Sequence, residues 1–278
     1  MLPGYNTNGF AHHRLEDALE ILVELGYRSV ALTLDYHALN PFAGDFPQQR
    51  EMVKRLLTRL GLRCVIEAGA RFLLDPRRKH QPTLLSPDET ERHHRRDFLL
   101  RAIDLAADLG ADAVSFWSGT PLSNEPAPIL CQRLANECRL LAEAAHRRQV
   151  RLAFEPEPGM LIATMADFAP LHAAVNHPAF GLTMDVGHLF CQDEGDIAEH
   201  IRRWHPWLWN VHLEDMRRGI HDHLPFGAGE MEFGPILRAL KEVGYTGGLH
   251  VELSRQSHDS VNTARKAFAY LQQWLRAE

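Results

Sequence analysis

Eight times along 278 residues, a short run of β-branched or aromatic residues gives way to an amphipathic stretch. That alternation constrains the fold more than any other feature, because helices between successive strands force those strands to run parallel. The strand-like runs are read at Gly4–Asn8, Ser29–Leu34, Leu62–Ile66, Asp112–Trp117, Val150–Phe154, Phe180–Met184, Leu208–Val211 and Gly248–Val251. The helical stretches are read near Arg14–Leu25, Gln48–Leu60, Thr90–Leu109, Ala127–Arg148, Met165–Val175, Asp196–Arg203, Pro235–Val243 and Ser260–Arg276. In the first helix Leu15, Ala18, Leu19, Leu22 and Leu25 share a face. Gly26, Gly61 and Gly110 stand where the first three helices should stop. Eight units of roughly 35 residues predict one closed (β/α)8 TIM barrel spanning residues 1–278, an α/β fold with no second domain. An open dinucleotide-binding sheet fits less well, since no G-x-G-x-x-G follows the first strand.

Composition narrows the function. With 45% hydrophobic residues the chain is no disordered segment. Lys and Arg number 30 against 36 Asp and Glu, so an extended nucleic-acid surface is not expected. There is no signal-peptide pattern at Met1–Asn6 and no apolar run of about 18 residues, so a cytoplasmic location without a membrane span is expected. Cys64, Cys131, Cys138 and Cys191 form no C-x-x-C pair and read as small apolar residues. The 17 histidines are unusual, and only their positions give them meaning.

Four successive strands end on a potential metal ligand: strand five on Glu155, six on Asp185, seven on His212 and eight on Glu252. In a barrel these ends converge on one mouth, with neighbouring strands about 4.8 Å apart. A polar residue bordering a loop explains any one of them. Four in register are harder to explain so, because converging carboxylates repel one another and lose hydration unless a cation intervenes. Three carboxylates and one imidazole suit Mn²⁺, Mg²⁺ or Co²⁺, with Zn²⁺ also open. His188 follows Asp185 in the same mouth, while His221 and His223 lie on a longer segment before Gly227 and Gly229. Asn6, Glu67 and Arg255, also near strand ends, read as supporting or loop groups, and Phe116 as core. Trp204, Trp207 and Trp209 read as packing residues.

The ordered set Glu155, Asp185-x-x-His188, His212 and Glu252, with the H-x-x-x-G-x-G segment His223–Gly229 and Phe233, resembles the xylose isomerase-like TIM-barrel superfamily. The closest motifs are those of ketose 3-epimerases and of inosose dehydratase and hydroxypyruvate isomerase relatives. The resemblance implies a sugar or sugar phosphate isomerase or epimerase with one divalent ion, Mn²⁺ preferred, held by Glu155, Asp185, His212 and Glu252. Glu155 and Glu252 would exchange a proton beside the substrate carbonyl from opposite faces, through a metal-stabilised enediolate. The resemblance also implies substrate contacts by His188 and by Arg218, six residues beyond His212, with Arg217 as alternative. Leu161 stands near the place of a substrate-contacting acid, for which Glu157 is the substitute, and Trp117 is a candidate wall against the sugar. A keto-polyol dehydratase of the inosose type and an endonuclease IV-like phosphoester hydrolase are the alternatives. The latter lacks histidines at the ends of strands three and four, but His221 and His223 approach its paired spacing and leave a second metal or substrate contact open. A small sugar or polyol partner and a homodimer or homotetramer are implied.

Overall fold

A computed structural model describes residues 1–275. Seven parallel strands follow in order: β1 (Leu2–Asn6), β2 (Ser29–Thr33), β3 (Arg63–Glu67), β4 (Val114–Phe116), β5 (Leu152–Phe154), β6 (Phe180–Asp185) and β7 (Leu208–Leu213). Next, β8 (Asp215–Arg217) and β9 (Ile220–Leu224) form an antiparallel hairpin outside the barrel. The last strand, β10 (Gly248–Val251), pairs with both β1 and β7 and closes the ring. The expected TIM barrel is therefore observed.

The helices α1 (Leu15–Leu25), α2 (Phe46–Leu60), α3 (Glu89–Leu109), α4 (Ala127–Arg147) and α5 (Met165–Val175) lie close to their expected positions. Then come α6 (Val186–Cys191), α7 (Ile197–Trp204), α8 (Phe233–Glu242) and α9 (Ser260–Leu275). Gly26 ends α1 at φ 110°, a left-handed conformation that a side chain would strain. Arg276, expected in the last helix, lies outside the described residues.

Three differences from the sequence expectation matter. The first strand lies at Leu2–Asn6 rather than Gly4–Asn8, because the Asn6 side chain accepts from the Asn8 amide at 3.1 Å and caps a 3-10 turn. Helix α6 was not expected. It starts where the Asp185 carboxylate accepts from the His188 amide at 3.0 Å, so the D-x-x-H spacing is a helix cap as well as a ligand pattern. The hairpin was expected to be loop.

Apolar packing between barrel and helices holds these ends still. Phe154, Phe168 and Phe180 are wholly buried, with ring centroids 5.9–6.2 Å apart. Each such ring contributes about 1.5–3 kcal/mol by burial. Trp204 packs on Phe168 and Trp207, and Phe116 is core. The four cysteines are free, and only Cys131 is partly exposed. Among the described residues no helix is long and apolar enough to cross a membrane.

Candidate metal centre and substrate cavity

Parallel register brings the strand-end residues together. Asp185 and His212 are direct partners across β6 and β7. Glu155 and Glu252 follow the last residues of β5 and β10. One donor atom from each of the four lies within 4.8 Å of the others. His212 Nδ1 is 2.9 Å from Glu155 Oε1 and 3.0 Å from Glu252 Oε2.

The other face of that imidazole is fixed from below. His212 Nε2 lies 2.9 Å from Glu67 Oε1, which also accepts from Asn210 Nδ2 at 3.1 Å. Asn210 Oδ1 in turn accepts from His250 Nδ1 at 2.8 Å, and His250 Nε2 meets the Ser29 hydroxyl at 2.8 Å. This buried chain places a proton on His212 Nε2 and turns the Nδ1 lone pair toward the three carboxylates. A carboxylate behind a ligating histidine is the usual device for fixing its tautomer.

Burial pushes Glu155 up to about 8, against the pull of His212. Burial also raises Glu252, but the charge and hydrogen bond of His212 outweigh it and hold that carboxyl well below the usual range. At Asp185 burial is likewise outweighed, chiefly by His188. Burial disfavours the His212 imidazolium, yet Glu67, Glu155 and Glu252 together raise it well above the ordinary value. Asp185 Oδ2 is buried with no hydrogen-bond partner. An orphaned carboxylate oxygen beside an oriented imidazole nitrogen and two more carboxylates is a donor set that fits a hard or borderline divalent cation.

Glu155, His212 and Glu252 floor a cavity of about 320 Å³, a size that suits a small molecule. Its wall includes Trp117, Glu157, His221 and His223, and its mouth Arg71, Lys79 and Arg255. Trp117 is held by the Arg95 guanidinium 4.5 Å from its ring centroid and by the edge of His80. Asn8 Nδ2 donates to Glu252 Oε1 at 2.8 Å and fixes that side chain.

A family model described as a xylose isomerase-like TIM barrel matches residues 19–277. The chain belongs to that family. Within the xylose isomerase-like barrels, it is 26% identical over 218 residues to the L-ribulose-5-phosphate 3-epimerase UlaE of Escherichia coli strain K12 / DH10B, covering 77% of this chain and 74% of that enzyme. Among solved structures, the 3-keto-D-glucoside 4-epimerase YcjR from E. coli superposes with TM-score 0.80 at 17% identity, over 98% of this chain and 99% of that one. The IOLI protein with a bound zinc atom gives 0.77 at 16%, covering 99% of both chains.

Three residues singled out by resemblance to the xylose isomerase-like barrels lie elsewhere than expected. Arg218 is exposed, pairs with Asp193 and covers the Phe190 ring, away from the cavity; Arg217 also faces outward, toward the Ala228 carbonyl. The reason is the hairpin turn at Gly219, which carries both arginines off the mouth. His188 is buried behind His221 and His223 and is not part of the cavity wall. Asn8, Asn210 and Glu214 went unnoticed in the sequence. Glu214 is wholly buried beside Asp185 and His223, and neither of its carboxylate oxygens has a hydrogen-bond partner. Its signal was the period of two along β7, since residues 210, 212 and 214 share a face.

Proposed function

We propose that this chain is a divalent-metal-dependent sugar isomerase or epimerase that moves a proton at the carbon beside a carbonyl. The carrying observation is the placement of Glu155 and Glu252, each within 3.0 Å of His212 Nδ1, on the floor of a cavity of monosaccharide size. Glu155, Asp185, His212 and Glu252 would hold the cation, which when bound supplies Lewis-acid stabilisation of negative charge on substrate oxygen. Mn²⁺ is the preferred ion for this oxygen-rich set, with Mg²⁺, Co²⁺ and Zn²⁺ as alternatives.

The remaining chemistry belongs to the side chains. One glutamate takes the proton next to the carbonyl and the other returns one from the opposite face, so that an enediolate-type anion connects the two steps. Asn8 keeps Glu252 aimed at the cavity, and Glu67 keeps His212 in the required tautomer. Trp117 offers a flat apolar wall to a sugar ring, and Glu157 accepts from hydroxyls. Arg71, Lys79 and Arg255 at the mouth suit a substrate whose far end is anionic. A relative named for a ketose phosphate agrees with that reading.

The test is solvent exchange. Metal-loaded protein incubated in D₂O with a panel of ketoses and ketose phosphates should place deuterium on the carbon adjacent to the carbonyl. No exchange across the panel would remove the reading. Exchange accompanied by loss of water from the substrate would instead identify the dehydratase, which starts with the same proton abstraction.

A further inference from the structure

We propose that His80 is a specificity-determining residue: its Nε2 lone pair accepts a hydrogen bond from a substrate hydroxyl outside the carbonyl and the carbon beside it. The inference rests on the sugar reading above and adds to it a group that none of the strand ends supplies. His80 lies between β3 and α3 and lines the cavity with Arg71, Lys79 and Trp117. Its Nδ1 faces the Gly69 carbonyl oxygen at 3.1 Å. A carbonyl oxygen only accepts, so Nδ1 carries the proton and Nε2 keeps the lone pair. The His80 amide donates to the Arg71 carbonyl, which ties the residue a second time to the chain just after β3. Its ring meets Trp117 edge-on, with centroids 5.1 Å apart and planes at 87°. These ties hold the backbone of His80 at φ 66°, a left-handed conformation that residues other than glycine rarely adopt and that clusters at ligand sites.

Nε2 has no hydrogen-bond partner among the described residues and is not sealed from solvent. The neighbouring side chains on this wall, Arg71, Lys79 and Trp117, can only donate. Burial, with Lys79, Arg95 and Arg71 nearby, holds the imidazole down at about 4 against the pull of the Gly69 carbonyl. His80 is therefore a neutral acceptor at pH 7. The buried Arg95 is fixed in place, donating to the Ala68 carbonyl at 2.7 Å with its guanidinium 4.5 Å from the Trp117 ring centroid. A substrate oxygen entering this wall meets several donors and one acceptor. A carbonyl, ether or fully ionised phosphate oxygen uses the donors but sets lone pair against lone pair at Nε2. A hydroxyl satisfies both kinds of group, because it gives its proton to Nε2 and accepts from a neighbour. The wall thus distinguishes a hydroxyl from hydrogen or from a carbonyl at one carbon of the substrate.

The test uses metal-loaded full-length protein and a panel of D-fructose, D-tagatose, L-ribulose and L-ribulose 5-phosphate. The panel member that exchanges fastest in D₂O is compared with its monodeoxy analogues, each lacking one hydroxyl outside the carbonyl and the carbon beside it. For the wild type, one deoxy position should lower kcat/KM by about 2–10-fold, the worth of one neutral hydrogen bond. His80→Phe keeps an aromatic edge against Trp117 and has no lone pair. It should lower kcat/KM for the parent sugar by the same factor, through KM, and abolish the penalty at that one deoxy position while leaving the others. If His80→Phe fails to fold by circular dichroism, His80→Asn should give the same result, since asparagine tolerates the left-handed backbone and its amide falls short of the Nε2 position. Deoxy penalties unchanged in the folded variant would overturn the proposal. So would an equal loss for the parent sugar and every analogue, which would mean that His80 only props Trp117. Exchange by the wild type with either of these outcomes removes His80 and leaves the isomerase reading intact, whereas no exchange with any panel sugar removes both.

Discussion

Two clusters of ligand-type side chains share one mouth, and they are held there by different means. Glu155, Asp185, His212 and Glu252 sit in or directly after barrel strands, so the parallel ladder sets their spacing. His221 and His223 ride on β9, outside the barrel, and meet His188 only because the hairpin folds back. What holds the hairpin is Asp215, whose carboxylate accepts from the amides of Met216, Gly227, Gly229 and Met231 at 2.8–3.1 Å. The first cluster is a property of the fold and the second a property of one clasp. A change in the barrel floor should therefore act on the carboxylate-rich set alone, and a change in the clasp on the histidines alone.

The largest expected effect comes from the carboxylate side. Glu252→Gln keeps the shape of the side chain and its contact with Asn8 but cannot carry the proton. Turnover should fall by about 10²–10⁴-fold, the usual contribution of a positioned acid or base. Steady-state kinetics with the substrate found by deuterium exchange would measure it, and unchanged turnover would take Glu252 out of the mechanism. Next, Glu67→Gln loosens the grip on His212 while leaving Glu155, Asp185 and Glu252 unchanged. Metal affinity of the carboxylate-rich set should drop by about 10–100-fold. Competitive titration against a chelator reads that drop, and an unchanged affinity would mean that Glu67 does not fix His212.

Asp215→Ala should do the reverse. It leaves four amides without their acceptor, and each such loss costs about 1–3 kcal/mol where water cannot replace the bond. The expected result is a lowered melting temperature, with metal affinity retained at Glu155, Asp185, His212 and Glu252. Gly229→Ala should act in the same direction, since a Cβ there would stand 2.3 Å from Asp215 Oδ1. A folded hairpin variant that lost metal from the carboxylate-rich set would show that the two clusters are one structural unit.

The same contrast decides what was legible in the sequence. Strand ends are readable because the period of two and the glycine-stopped helices locate each strand, and barrel closure then puts successive ends side by side. Glu155, Asp185, His212 and Glu252 needed nothing more. Glu67 was visible in register, but its bond to His212 was not, because that depends on which side chains cross the barrel interior. The hairpin was illegible for a physical reason. A three-residue and a five-residue strand carry little pattern, and their pairing is stabilised by Asp215 and the backbone amides of Gly227 and Gly229 rather than by side-chain periodicity. Arg218 shows the cost of reading across such a segment by spacing alone. Six residues after His212 is a place on the mouth only if the chain continues outward from the strand, and here it turns back.

The smallest effect concerns the rim above each set. Lys79, on the side of Glu67 and His80, has no ion-pair partner among the described residues, whereas Arg255, on the side of His221, is paired with Asp222. An anionic group on a substrate should therefore be drawn toward Lys79, over the carboxylate-rich set, and gain little from Arg255, whose charge is already balanced. An exposed pair of this kind contributes about 0.2–1 kcal/mol. Lys79→Gln should thus raise KM for a ketose phosphate by about 1.5–5-fold at low salt, with kcat almost unchanged, and Arg255→Gln by less. The difference should shrink in high salt, because the charges are exposed to screening. For the unphosphorylated ketose neither substitution should matter. An equal rise in KM for both substrates would mean that Lys79 shapes the mouth rather than recognising charge.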